Sequence, residues 1–188
     1  MSALPEAVAK AFCQYCDWAQ QCWLLRKHLY DENPQRSILN SPWNRHLFVQ
    51  LEKILQEYWI HQVAKLHDRP KRGSRPNLTV DYILTEATWR MDTERKLREL
   101  REQLDQLSQT IRSARNRLLS HNDLEVILSG VDLGAFEPGV DTKYFEALRA
   151  FASLVHEEVV GGPYAFDDLV SNDIDALMAT LGKGLKVS

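Results

Sequence analysis

The chain has 188 residues, of which 44% are hydrophobic and 26% charged, and its net charge is −3. That balance suits a single globular domain over residues 1–188, large enough to bury about two-thirds of its unfolded surface. It excludes a disordered polymer and a protein drawn to nucleic acid by bulk charge, so contact with phosphates has to come from a local basic patch. Three cysteines form no disulfide framework. The N-terminus lacks a basic segment leading into an apolar core, and no apolar run reaches the length of a membrane span, so the expected setting is the cytoplasm, away from membranes.

The first apolar pattern predicts a helix over Ala7 to Tyr30, with Val8, Ala11, Tyr15, Trp18, Cys22, Leu25 and Leu29 on one stripe, backed by Phe12 and Ala19. Asn33-Pro34 breaks it, and Ser41-Pro42 is a start signal for a second helix running to about Asp68, with Ser41 as the expected cap. Residues 69–78, RPKRGSRPNL, read as a loop and hold the densest basic charge of the chain in Arg69, Lys71, Arg72 and Arg75. Thr79 is placed to cap a short helical turn over Val80 to Leu84.

The stretch from Asp92 to Asp123 carries the strongest pattern. Leu97, Leu100, Leu104, Leu107, Ile111, Ala114 and Leu118 alternate by three and four residues, without Gly or Pro, which predicts a helix about 45 Å long with a packing seam. The next seam position is His121. A turn-rich segment follows, then a helix over Lys143 to Val160, stopped by Gly161-Gly162-Pro163, and a last helix over roughly Phe166 to Leu181. No run shows strand-type alternation. The predicted class is all-α: a helical bundle of four main helices plus short helices.

Several familiar constellations fail on their spacing. Cys13-x-x-Cys16 has no second ligand pair, and its expected helical phase leaves one thiol in the core and two incidental. His156-Glu157-Glu158 lacks the second histidine of a zincin. Gly134 and Gly139 are followed by Val-Asp where a phosphate-binding loop needs Lys and a hydroxyl. The five tryptophans sit mostly in apolar stripes and read as core. No metal or cofactor is therefore expected.

The segment Arg115-Asn116-Arg117-Leu118-Leu119-Ser120-His121-Asn122-Asp123 differs, because polar functions converge where the apolar seam runs out. A guanidinium holds phosphate through parallel hydrogen bonds. An imidazole exchanges protons near neutrality. An amide orients its neighbours. These groups suffice to cleave RNA without a metal: a base takes the ribose 2′-OH proton, the oxygen attacks phosphorus, an acid protonates the departing 5′-oxygen, and a fixed cation stabilises the charge that develops. The plainer reading, basic residues complementing a helix C-terminus, accounts for the same residues without chemistry.

RNRLLSHND resembles the signature of HEPN domains, an arginine and a polar residue followed by a histidine after four to six residues. Here five separate Arg115 from His121. The preceding HQVAKLHD, the basic loop and NLTVDYIL are similar to the abortive-infection (AbiU-type) HEPN-like branch, and the resemblance spans roughly Leu47 to Asp123. It implies a HEPN-like bundle acting as a ribonuclease on single-stranded RNA, in a toxin or phage-defence role. Arg115 and His121 would be catalytic, with Asn116 orienting them and Asp123 orienting His121. Arg112 and Arg117, with Arg69, Lys71, Arg72 and Arg75, would hold the RNA backbone. It further implies a homodimer whose two motifs face one cleft, and pairing in some members with a nucleotidyltransferase-like antitoxin. The competing expectation is a non-catalytic HEPN-like module for dimerisation, partner or nucleotide binding.

Overall fold

The computed structural model describes residues 3–118 and 138–185, with the side chains of 113–118 and 185 left outside the description. Among these residues lie six α-helices: α1 (Glu6–Arg26), α2 (Arg45–Leu66), α3 (Val80–Thr85), α4 (Met91–Leu118), α5 (Val140–Val159) and α6 (Val170–Leu185). The one sheet described is a hairpin of two-residue strands, β1 (Lys71–Arg72) and β2 (Arg75–Pro76). The all-α class stands. The hairpin, in a segment read as plain loop, is the only described departure from it.

The chain divides into two compact units. One comprises Met1–Asp17 and Ile60–Phe166; the other comprises Trp18–Trp59 and Asp167–Ser188.

In the first unit α4 packs against α5. Leu97, Leu104 and Ile111 are fully buried, seven residues apart, while Leu100 and Leu107 on the neighbouring row are half-buried. The seam therefore closes within the chain, as a seven-residue repeat on a paired helix should. The helices run antiparallel, because Thr93 near the start of α4 donates to Glu158 at the end of α5, 3.0 Å away. Arg90 reinforces that end through the same carboxylate. From α5, Phe145, Leu148, Phe151 and Val155 supply the buried side. Thr79 caps α3 as expected, its hydroxyl accepting from the Tyr82 N–H at 3.1 Å. Arg101 of α4 reaches Asp81 of α3 at 2.8 Å, tying the short helix to the long one.

The phase of α1 differs from the predicted stripe. Phe12, Ala19, Cys22 and Leu29 are buried as expected, but Ala11 and Trp18 are exposed, whereas Cys13, Cys16 and Trp23, off the predicted stripe, are buried. Apolar residues lie around most of this helix, so spacing alone admits more than one stripe, and packing selects among them. Phe12 meets Phe151 edge-on at 5.8 Å, and the Cys13 thiol donates to the Ala152 carbonyl at 3.3 Å. All three cysteines are buried, not one. Of the tryptophans, Trp23, Trp59 and Trp89 are core, while Trp18 and Trp43 are exposed.

The second unit has its own core of Leu29, Tyr30, Leu39, Phe48, Leu55, Ile174 and Met178. α1 ends in a π-helical turn over Lys27–Asp31, which carries Leu29 and Tyr30 into this core. The Tyr30 hydroxyl donates to the Phe48 carbonyl at 2.9 Å, and burial pushes its pKa up to about 12. α2 starts three residues after Pro42, and the Ser41 hydroxyl makes no capping bond; the turn is closed by its carbonyl, which accepts from the Asn44 and Arg45 amides.

The α4–α5 packing makes a direct stability prediction. Leu104→Ala is expected to cost about 3 kcal/mol in denaturant unfolding, as for a fully buried leucine, and Leu100→Ala, half-buried, about 1 kcal/mol. Equal losses would contradict this phase of α4.

Candidate functional site

The sequence-predicted site residues fall into two groups. Arg112, Arg115, Asn116 and Arg117 lie in the last described turns of α4. His121 and Asp123 lie outside the described residues, as do the side chains of Arg115, Asn116 and Arg117. In helical register Arg115 follows the buried Ile111 by one turn, and Arg112 precedes Arg115 by just under one. Arg112 is half-buried and ion-paired to Asp105 at 2.8 Å, two turns earlier on the same helix.

The second group is the β1–β2 hairpin. Gly73 and Ser74 form its turn, with Gly73 at φ 63° and Ser74 not at positive φ, the pattern of a type II′ turn. Register places Arg72 directly opposite Arg75, and Lys71 opposite Pro76. All four are exposed. Like charges facing each other across a two-strand ladder are destabilising, so this hairpin holds a concentration of positive charge against its own electrostatics. Lys71 is partly neutralised by Glu86 at 2.8 Å. Arg69, also exposed, has its carbonyl fixed by the Asn77 side-chain amide at 2.8 Å.

A third feature was invisible to sequence reasoning. His67, at the end of α2 and two residues before Arg69, shares a hydrogen bond with the Tyr144 hydroxyl of α5 at 3.0 Å. Burial and, after it, the Arg112 charge lower its pKa to about 4, against smaller opposing effects from Asp105 and Asp81. The structure thus brings the root of the basic hairpin within electrostatic reach of Arg112 on α4. The partners are 77 residues apart, and no local signal connects them. Tyr144 is itself fully buried, and its hydroxyl pKa is raised well above the ordinary value by burial.

The thiols are unsuited to nucleophilic work. Burial pushes Cys13 up to about 12 and Cys22 up to about 11, and raises Cys16 strongly, so none is ionised near neutrality. Among the described residues no group of three or more His, Cys, Asp or Glu is arranged to hold a metal ion. No helix among them is long and apolar enough to cross a membrane.

A family profile described as AbiU2, of the HEPN class, matches residues 5–180. The chain belongs to the AbiU2 HEPN family. The match extends the resemblance seen over Leu47 to Asp123 to both ends of the chain, so α1, α5 and α6 are parts of this AbiU2 HEPN architecture. Comparison with curated proteins and with solved structures returned no significant match.

The environment of His67 fixes a pH dependence. Its folded pKa, about 4, lies below the ordinary value of 6.5. Folding therefore favours the neutral ring. The associated stability is fully present above about pH 6.5 and is lost as pH falls toward 4, where the unfolded chain takes up a proton that the folded chain refuses. The loss is expected to reach about 2–3 kcal/mol for a half-buried ring. His67→Gln should flatten the unfolding free energy between pH 6.5 and 4 relative to the parent chain, and an unchanged slope would refute the assignment.

Proposed function

We propose that this AbiU2 HEPN protein is a metal-independent endoribonuclease of HEPN type that cleaves single-stranded RNA, with a toxin or phage-defence role in the cytoplasm. The observation that supports this most directly is the register of α4. In this family member Arg115 and Asn116 fall on the last described turn of α4, between the seam positions Ala114 and Leu118, with His121 following in the chain.

In this reading an imidazole of His121 takes the proton from a ribose 2′-OH. The 2′-oxygen bonds to the adjacent phosphorus, the bond from phosphorus to the 5′-oxygen breaks, and that oxygen leaves with a proton. The products are a 2′,3′-cyclic phosphate and a 5′-hydroxyl, so no water and no metal enters the first step. Arg115 stabilises the charge on the phosphorane oxygens, and Asn116 orients the pair. Arg69, Lys71, Arg72, Arg75, Arg112 and Arg117 hold the RNA backbone. The opposed Arg72 and Arg75 favour this role, because a bound phosphate relieves their repulsion. Two copies of the chain place their motifs at one cleft, each supplying one histidine, so that acid and base come from different copies. A nucleotidyltransferase-like antitoxin is the partner this reading implies.

The test is incubation of the full chain with single-stranded RNA in excess chelator. Cleavage with cyclic-phosphate ends is expected, reduced about 100-fold or more by His121→Ala with the fold retained. Arg72→Ala/Arg75→Ala should raise KM most at low salt, with a shallower salt dependence than the parent chain and kcat little changed. Cleavage that depends on added metal, or a folded chain that leaves RNA intact, overturns the reading. The second outcome would favour a non-catalytic module for dimerisation, partner or nucleotide binding.

A further inference from the structure

Arg112 makes an ion pair of unusual span. Its guanidinium meets the Asp105 carboxylate at 2.8 Å across seven residues of α4, about 10 Å of helix axis, where intrahelical pairs ordinarily join residues three or four apart. The other pairs described within α4, Arg95 with Asp92 and Arg98 with Glu94, keep that ordinary spacing. To close the longer gap the two side chains run along the axis toward each other. The Arg112 guanidinium therefore lies back toward the start of the helix, away from the turn that carries Arg115 and Asn116.

The surrounding fold selects this pairing. Arg101, one turn before Asp105, is its nearer partner by spacing, but turns instead to Asp81 of α3 at 2.8 Å. Asp105 is thereby left for Arg112. Between them stands Ser108, fully buried, whose short side chain folds back to donate to the Asp105 carbonyl at 3.0 Å and does not block the path. Arg101, Asp105, Ser108 and Arg112 follow a four-three-four spacing, one row of the helix, and the next position on that row is Arg115.

We propose that Asp105 is a positioning residue for phosphate binding: it draws Arg112 back from the end of α4 in the free chain and yields it when an RNA phosphate arrives. As an extension of the RNA reading above, on which it rests, Asp105 thus sets how readily one of the phosphate-holding cations is released. Both side chains are 34% exposed, so the pair is firmer than a fully solvated one yet open to a competing anion. Without Asp105, Arg112 would stand free one turn from Arg115, and like charges at that spacing repel until an anion joins them. His67 feels both members of the pair, and burial together with the Arg112 charge keeps its ring neutral, so it is no rival cation for the carboxylate.

The probe is a single strand of 2′-O-methyl RNA, which lacks the attacking hydroxyl and stays intact. Asp105→Asn keeps the size of the side chain and removes its charge, and is expected to bind the strand about 5-fold more tightly than the parent chain. Asp81→Asn, which frees Arg101 to take Asp105, should give part of the same gain. Arg112→Ala should weaken binding, and Asp105→Asn should bring no gain in that background. Glu102→Gln removes an equal charge from an exposed position outside the row and should change affinity by less than about 2-fold. Denaturant unfolding separates positioning from support: Asp105→Asn is expected to bind more tightly while being no more stable than the parent, whereas a purely structural carboxylate would lose both. In cleavage the same variant should lower KM about 5-fold with kcat unchanged. Asp105→Asn that binds no more tightly than a parent chain that does bind, or a gain that survives Arg112→Ala, overturns the proposal and leaves the RNA reading standing. A strand bound by neither protein overturns both.

Discussion

The burial of Leu97, Leu104 and Ile111 against α5 is the constraint on which the first unit depends. Three leucine-sized groups at seven-residue intervals remove about 2 kcal/mol of exposed apolar surface each. More to the point, they settle the rotation of a helix of 28 residues about its own axis. A helix held at three successive places along one side has no freedom to roll, so the register of each later residue follows. The polar pair at the far end, Thr93 and Glu158, removes the remaining freedom to slide.

Electrostatics on α4 then separates two kinds of arginine. Arg98 and Arg101 are matched to Glu94 and Asp81, and Arg112 to Asp105, at distances of hydrogen-bonded pairs. These contribute mainly to orientation, since each is at least partly solvated and such pairs are weak in water. The hairpin follows the opposite rule. Arg72 and Arg75 are brought face to face by a tight turn, and the fold gains nothing from that arrangement by itself. His67 connects the two regions: it leads into the hairpin, is held by Tyr144 from α5, and feels the charge of Arg112 from α4. An imidazole kept neutral in this position adds no further repulsion to an already basic region.

The second unit is built by a different means. Its core draws on the π-turn that swings Leu29 and Tyr30 inward, and on the buried row of α6 at Ile174 and Met178. Because α2 gives one side to that core and carries Leu47, Ile54 and Tyr58 on another, its apolar residues exceed what a single buried stripe can use. The excess falls on one row of the helix and is not scattered.

Much of this was legible in the chain itself. The seam of α4, the Thr79 cap, the stop at Gly161-Gly162 and the basic concentration at 69–75 all depend on residues within a few positions of one another, where spacing and backbone preference act directly. Membership of the HEPN family was legible for the same reason. The phase of α1 was not, because a helix apolar on most sides has no single face until its neighbours choose one; here Phe12 meets Phe151 and Cys13 meets Ala152 of α5. Nor could the sequence place His67 on Tyr144, or tell that α4 closes on α5 while α2 keeps an apolar face outward. Those facts arise from contacts between residues far apart in the chain, and the energy of such contacts exists only once the chain has folded.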